Sequence, residues 1–292
     1  VTQLAEDSKT ESEFDPLPRP PGRASSKLWP ILGFTMLGCA ILMLAGFVWS
    51  LKDAWFPSHG MAVPEPSASA RPPQGDWAAK QELKAIALGD SLTRGMGDRT
   101  GDGYVRDSIV KLNESLGKKV RLLGNLAING LTATRLNQQL EQPSYASSVM
   151  QADLILFTIG GNDLFRIAQS GGSIAQGGDV SPERLKAKLP EAKPRLEATF
   201  SKLRRINPYA RIVYVGLFNP FYDVPEARGI SETIAEWNAY AQKLAALDGN
   251  ATVIPTYDLF ESNAARYLSS DHFHPNEMGY GRIAERIDQA LN

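Results

Sequence analysis

The distribution of apolar and polar positions divides the chain into two structured regions joined by polar, proline-rich sequence. The first region, Leu28 to Leu51, carries no charged side chain over 24 residues. As a helix this run would extend about 36 Å, enough to cross a hydrocarbon layer of about 30 Å. Trp29 and Trp49 stand near its two ends, where amphipathic rings favour the membrane interface. From about residue 80 the pattern changes. Short apolar runs over Lys84–Leu88, Val120–Leu126, Asp153–Ile159, Arg211–Leu217 and Thr252–Tyr257 predict five strands. Helix-period stretches near 104–116, 131–141, 182–205, 230–247 and 276–290 lie between and after them. Strands that are apolar on both faces and alternate with helices predict an α/β fold, a three-layer α/β/α sandwich around a five-stranded parallel sheet. Right-handed crossovers then place every strand C-terminus along one edge, where ligands bind in open α/β sheets.

The remaining segments follow from composition. Residues 1–27 are acidic and then proline-rich, and are expected to form a disordered tail. Residues 52–79 carry Pro57, Pro64, Pro66, Pro72 and Pro73 among serines and alanines, and are expected to form a semi-extended spacer. Residues 80–292 form the folded domain. Arg19, Arg23 and Lys27 precede the apolar run, whereas only Lys52 follows it closely. The positive-inside rule therefore predicts a single-pass anchor at 28–51, with the N-terminus cytoplasmic and the folded domain outside the cell. A cleaved signal peptide is the rival reading. It would have an apolar core of about 7–15 residues and a small-residue site soon after it. This run is longer, and Ala68-Ser69-Ala70 lies well downstream.

With 31 basic and 32 acidic residues, the formal charge of −1 gives no general attraction to nucleic acid, and none is expected as a partner. A single cysteine, Cys39, excludes an intrachain disulfide.

Against this background four short stretches carry the chemistry. Gly89-Asp90-Ser91-Leu92 follows a predicted strand, so Ser91 is either a helix N-cap or an exposed nucleophile. The chain has three histidines, and His59 falls in the spacer, which leaves His272 and His274 as bases. In Asp271-His272-Phe273-His274-Pro275 the carboxylate stands three residues before His274, a spacing that lets it accept from one imidazole nitrogen while the other faces Ser91. His272, adjacent to Asp271, is expected to point elsewhere. The competing reading makes His274 a cap of the last helix, with Pro275 in its first position. Donors for a developing oxyanion are the backbone N–H of Ser91, the backbone N–H of Gly130 and the side-chain amide of Asn162 in Gly160-Gly161-Asn162-Asp163. Asp90 and Asp163 read as structural groups. Phe218, Phe221 and Tyr222 follow the fourth strand and are candidates for lining a substrate pocket. The glycine-rich stretch 166–181 is either a lid or a plain surface loop.

These blocks resemble the GDSL, or SGNH, serine hydrolases over residues 84–290. Ser91, Gly130, Asn162 and His274 match the serine, glycine, asparagine and histidine for which that family is named, and Asp-x-x-His-Pro is intact. The resemblance implies a flavodoxin-like sandwich and hydrolysis of carboxylic esters or thioesters without metal or cofactor. The anchored layout resembles lipase-like members from Gram-positive bacteria, so the expected substrate is a small-molecule or lipid ester. An acetyl ester on a cell-wall or other surface glycan is the alternative, and a non-catalytic binding module a more distant one. A metal-dependent phosphoesterase built on Asp90, Asp271, His272 and His274 is the other rival, although two usable histidines are few for such a site.

Overall fold

The computed structural model describes residues 28–55, 77, 79–168 and 181–292. The predicted tail over 1–27, most of the spacer, His59 and the glycine-rich stretch at 169–180 lie outside the described residues. The chain separates into two units, residues 1–65 and 66–292.

In the first unit, helix α1 runs over Leu28–Trp55. It continues past the predicted boundary because the first helix-breaking residue is Pro57, which also disfavours helix at the residue before it. Its segment Trp29–Ser50 has a mean hydropathy of 2.3, and its apolar side chains are exposed. Its length and composition suffice to span a membrane.

The second unit contains strands β1 (Glu82–Gly89), β2 (Lys119–Asn125), β3 (Leu154–Thr158), β4 (Arg211–Val215) and β5 (Ala251–Ile254). All pair in parallel, in the order β2-β1-β3-β4-β5. The helices are α2 (Ser91–Arg94), α3 (Gly103–Ser115), α4 (Ala133–Gln139), α5 (Pro143–Met150), α6 (Gly161–Ala168), α7 (Pro182–Lys186), α8 (Leu189–Ile206), α9 (Ile230–Asp248), α10 (Tyr257–Glu261), α11 (Ala264–Tyr267) and α12 (Glu277–Leu291).

Strand alternation sorts the core into two halves. Ile86, Leu88, Ile155, Phe157, Ile212 and Tyr214 face one side and pack on Leu136, Leu196, Phe200 and Trp237 of α4, α8 and α9. Ala85, Ala87, Leu154, Leu156, Val213 and Val215 face the other and pack on Tyr104, Leu112, Tyr280 and Ile283 of α3 and α12. This is the predicted three-layer sandwich.

Some predicted boundaries move. The stretch read as one helix over 182–205 is two, α7 and α8. Pro190 stands in the first turn of α8, where its missing N–H costs nothing, so it favours a new helix start at this point. Thr256 and Tyr257 were expected in the fifth strand, but β5 stops at Ile254 and Tyr257 opens α10. Helices α5 and α6 gave no long periodic signal because they are eight residues each.

The strand order decides where a ligand can sit. From β1 the chain crosses to β2 on one side, then returns to place β3 on the other. The cleft beyond the C-termini of β1 and β3 is therefore the switch point of the sheet, where connections diverge and leave room. Both the Ser91 turn and the Asn162 turn emerge there.

Candidate active site

The Ser91 turn begins at Gly89, with φ +123°. A Cβ at this position would lie 1.9 Å from the carbonyl oxygen of Thr158, so only glycine lets β1 leave the sheet here. Asp90 then caps α2, its Oδ1 accepting from the Leu92 N–H at 3.2 Å. The expected cap role of Ser91 thus falls to its neighbour. Ser91 sits in the first helical position, where its backbone N–H has no intrahelical acceptor.

Asp90 is fully buried, and burial pushes its carboxyl up despite hydrogen bonds from Thr158 and Leu92. The Thr158 hydroxyl donates to Asp90 at 2.6 Å; Thr158 and Thr93 hydroxyls are 2.7 Å apart, and Thr93 and Tyr104 hydroxyls 2.7 Å. Because a carboxylate only accepts, the chain polarises from Tyr104 through Thr93 and Thr158 to Asp90. Sequence reading missed Thr158, Thr93 and Tyr104. The one available signal was a lone polar residue inside the apolar run Leu154–Ile159.

The His274 turn is held by short-range bonds. Ser269 N–H donates to the His274 carbonyl at 2.8 Å, and Leu268 and Pro275 form an antiparallel bridge. The cap of α12 is Asn276, whose side chain accepts from Gly279 N–H at 3.0 Å, so neither His274 nor Pro275 belongs to that helix. His272 adopts φ +54°, which turns its ring onto Asp223 at 3.0 Å, away from Asp271.

His274 Nδ1 is 2.6 Å from Asp271 Oδ2, and His274 Nε2 is 2.8 Å from Ser91 Oγ. Asp271 is partly buried, which raises its pKa. Hydrogen bonds from the His274 ring and backbone, the Ser269 hydroxyl and the Phe273 N–H outweigh this and hold it at about 2. It is therefore an anion across the physiological range and can only accept, so the Nδ1 proton lies towards Asp271 and Nε2 is free to accept from Ser91. The three groups form one continuous hydroxyl–imidazole–carboxylate chain.

Of the expected oxyanion donors, Asn162 lines the same space as Ser91. Gly130 has φ +74° and open space where a Cβ would lie. Among the described residues neither its N–H nor that of Ser91 has an acceptor. The Asn162 amide gives one hydrogen to the Leu131 carbonyl at 3.0 Å, tying the Gly130 loop to α6, and its second hydrogen has no acceptor among the described residues. Asp163 fixes the same corner by accepting from Ala133 N–H at 2.9 Å. Its carboxyl is pushed up to about 6, by burial first, with Ala133 N–H and Arg195 opposing.

Of the three aromatic candidates, Phe218 lines the space beside Ser91 and stacks on Phe260 at 3.9 Å. Phe221 is buried against Phe165 and Phe273, and Tyr222 faces the Arg228 guanidinium at 5.8 Å. Phe165 and Phe273, which the sequence did not single out, line that space with Leu217 and Pro220. The cavity is about 20 Å³ and mostly apolar. No group of three or more His, Cys, Asp or Glu side chains among the described residues is disposed to hold a metal ion.

Comparison with known proteins agrees with this geometry. The family model of the GDSL-like lipase/acylhydrolase family matches residues 87–282. An uncharacterized protein of Bacillus subtilis (strain 168), YpmR, is 34% identical over 215 residues, covering 73% of this chain and 82% of its own. The spore germination lipase LipC of Bacillus licheniformis is 29% identical over 217 residues, covering 71% of this chain and 96% of its own. Among solved structures, the lipase Lip_vut3 from a goat rumen metagenome superposes with a TM-score of 0.59 at 27% identity, covering 71% of this chain and 97% of that one. The chain belongs to the GDSL-like lipase/acylhydrolase family and is a carboxylic ester hydrolase.

Proposed function

We propose that this chain is a membrane-tethered serine esterase of the lipase or lysophospholipase kind, acting at the outer face of the membrane through an acyl-enzyme. The observation that carries the reading is the hydrogen bond from Ser91 Oγ to His274 Nε2 at 2.8 Å, with Asp271 at 2.6 Å on the other side of the ring.

In this reading Ser91 Oγ attacks the ester carbonyl while His274 Nε2 takes its proton. Asp271 stabilises the imidazolium that results. The Ser91 N–H, the Gly130 N–H and the Asn162 amide receive the negative oxygen, and loss of one such donor typically costs a factor of about 10²–10³. His274 then protonates the leaving alcohol. Water, deprotonated by the same ring, releases the acid from Ser91. Thioesters follow the same route with a thiol as leaving group. Phe165, Phe218 and Phe273 offer the acyl group an apolar wall. The outer-face location rests on helix α1 and on the basic residues that precede it.

A second reading, removal of acetyl groups from surface glycans, is favoured by one feature. The apolar space beside Ser91 is about 20 Å³, a size that suits a methyl group better than a long chain. Two measurements on the full chain in detergent test both. A fluorophosphonate must label Ser91, and no labelling would sink the serine mechanism. A panel of esters from acetyl to palmitoyl, with O-acetylated peptidoglycan included, ranks the substrates. Activity confined to acetyl esters would overturn the lipase-like reading in favour of the second.

A further inference from the structure

A second hollow lies beyond the C-terminal end of α2 and shares no lining residue with the aromatic space beside Ser91. It measures about 890 Å³ and is lined by Arg94, Met96, Gly97, Arg99, Arg106 and Asn129, with neighbouring backbone and the carboxylates Asp98 and Asp102. Three arginines and two carboxylates line it, and two of the arginines are already paired. Arg99 pairs with Glu277 at 2.9 Å, and Arg106 with Asp102 at 3.4 Å. Asp98 is spent on its own loop, accepting from the Thr100 N–H, the Thr100 hydroxyl and the Gly103 N–H at 2.8 Å each. Arg94 is exposed and has no hydrogen-bond or ion-pair partner for its guanidinium among the described residues.

Position gives that charge a use. Arg94 ends α2, three residues after Ser91, and side chains at this spacing are neighbours on one helix face, about 5–6 Å apart at Cβ. Asn129, which also lines the hollow, immediately precedes Gly130. The hollow is thus bordered by chain neighbours of Ser91 and of Gly130, and by Gly97, which lies against the His274 turn. Since the apolar wall suits the acyl part of an ester, the polar hollow is left for its alcohol.

Building on the esterase reading above, we propose that Arg94 and this hollow form a subsite for a phosphate carried by the alcohol portion of the ester, so that the enzyme selects phosphate-bearing acyl glycerols over neutral ones. A guanidinium offers a phosphate two parallel N–H donors, and its flexible stem reaches past the ester to a phosphate one glycerol length away.

The test compares kcat/KM of the full chain for 1-butyrylglycerol 3-phosphate and for 1-butyrylglycerol, both water-soluble and identical at the scissile bond. The phosphorylated ester is expected to be preferred by about tenfold at low salt, as a charge-assisted contact would give. The ratio should fall towards one in R94Q. In the wild-type chain it should also fall as salt is added, a reading that needs no variant to fold. A ratio near one, or a preference that survives R94Q, would overturn the proposal. Inhibition of neutral-ester hydrolysis separates the two phosphate sources. Glycerol 3-phosphate should inhibit more strongly than inorganic phosphate, and equal inhibition would assign the site to the free ion and defeat the alcohol subsite. If neither ester is cleaved, the esterase reading is what fails. Calorimetric binding of glycerol 3-phosphate, lost in R94Q, then decides the subsite separately.

Discussion

The ring nitrogen of His274 lies 2.8 Å from the hydroxyl of Ser91, although 183 positions separate the two residues in the chain. Each is fixed by its own local structure. Asp90 caps the short helix that presents Ser91, and a bridge between Leu268 and Pro275 steadies the turn that presents His274. The His274 turn packs directly on Gly97. A Cβ there would fall 2.9 Å from His274 Cβ and 2.5 Å from the Pro275 carbonyl oxygen, and φ is +91°.

Replacing Gly97 should therefore misplace the imidazole. G97A is expected to lower kcat by about 10²-fold, the scale that goes with an ångström of misalignment, and to lower stability by about 1 kcal/mol through φ. Steady-state kinetics with a short ester, beside urea denaturation, checks both. Unchanged kcat would mean that the turn carrying His274 can shift without consequence.

D271N removes the anion that orients His274. An amide can present a donor to Nδ1, which favours the tautomer with the proton on Nε2 and blocks proton transfer from Ser91. The expected result is a fall in kcat of about 10³–10⁴-fold with little change in KM. A pre-steady-state burst assay would show slow acylation.

T158V takes the hydroxyl away from buried Asp90, which then keeps only the Leu92 N–H as donor to Oδ1. Loss of about 1–3 kcal/mol of stability is expected, with a lower kcat because the Ser91 turn rests on this carboxylate. T158S should restore both. Denaturation midpoints that match across wild type, T158V and T158S would show that the hydroxyl carries no load.

Asp163 gives stability a pH dependence of defined sign. Its folded pKa is raised from 3.8 to about 6 by burial, so the native state holds the proton more tightly than the unfolded chain. Its contribution is fully present below 3.8 and is lost as pH rises towards 6, an effect on the order of 3 kcal/mol. Asp271 runs the other way. With a folded pKa of about 2, its stabilisation holds above 3.8 and is lost as pH falls towards 2. D163N keeps an acceptor for the Ala133 N–H and removes the titration. The gap in Tm between D163N and wild type should therefore widen in favour of D163N from pH 4 to pH 7, and a constant gap would refute the assignment.

The sequence alone determined the kinds of element and singled out Ser91, His274 and Asp271 as the candidate reacting groups. Five short runs apolar on both faces announce a buried parallel sheet, because burial imposes its period on each strand locally. Asp271 and His274 meet across a turn of three residues, so their spacing in the sequence already contains their contact. The tertiary structure decided the choice of partners. Only the strand order, with β1 between β2 and β3, brings Thr158 to Asp90 and makes the Ser91 turn and the Asn162 turn neighbours. Only the packed loops show that Asp90 rather than Ser91 caps α2, that Asn276 rather than His274 caps α12, and that Arg94 has no ion-pair partner among the described residues. Local periodicity reflects what each residue must do with water. Which distant residue satisfies a hydrogen bond or a charge depends on how the crossovers fold the chain back, and no short stretch of sequence contains that.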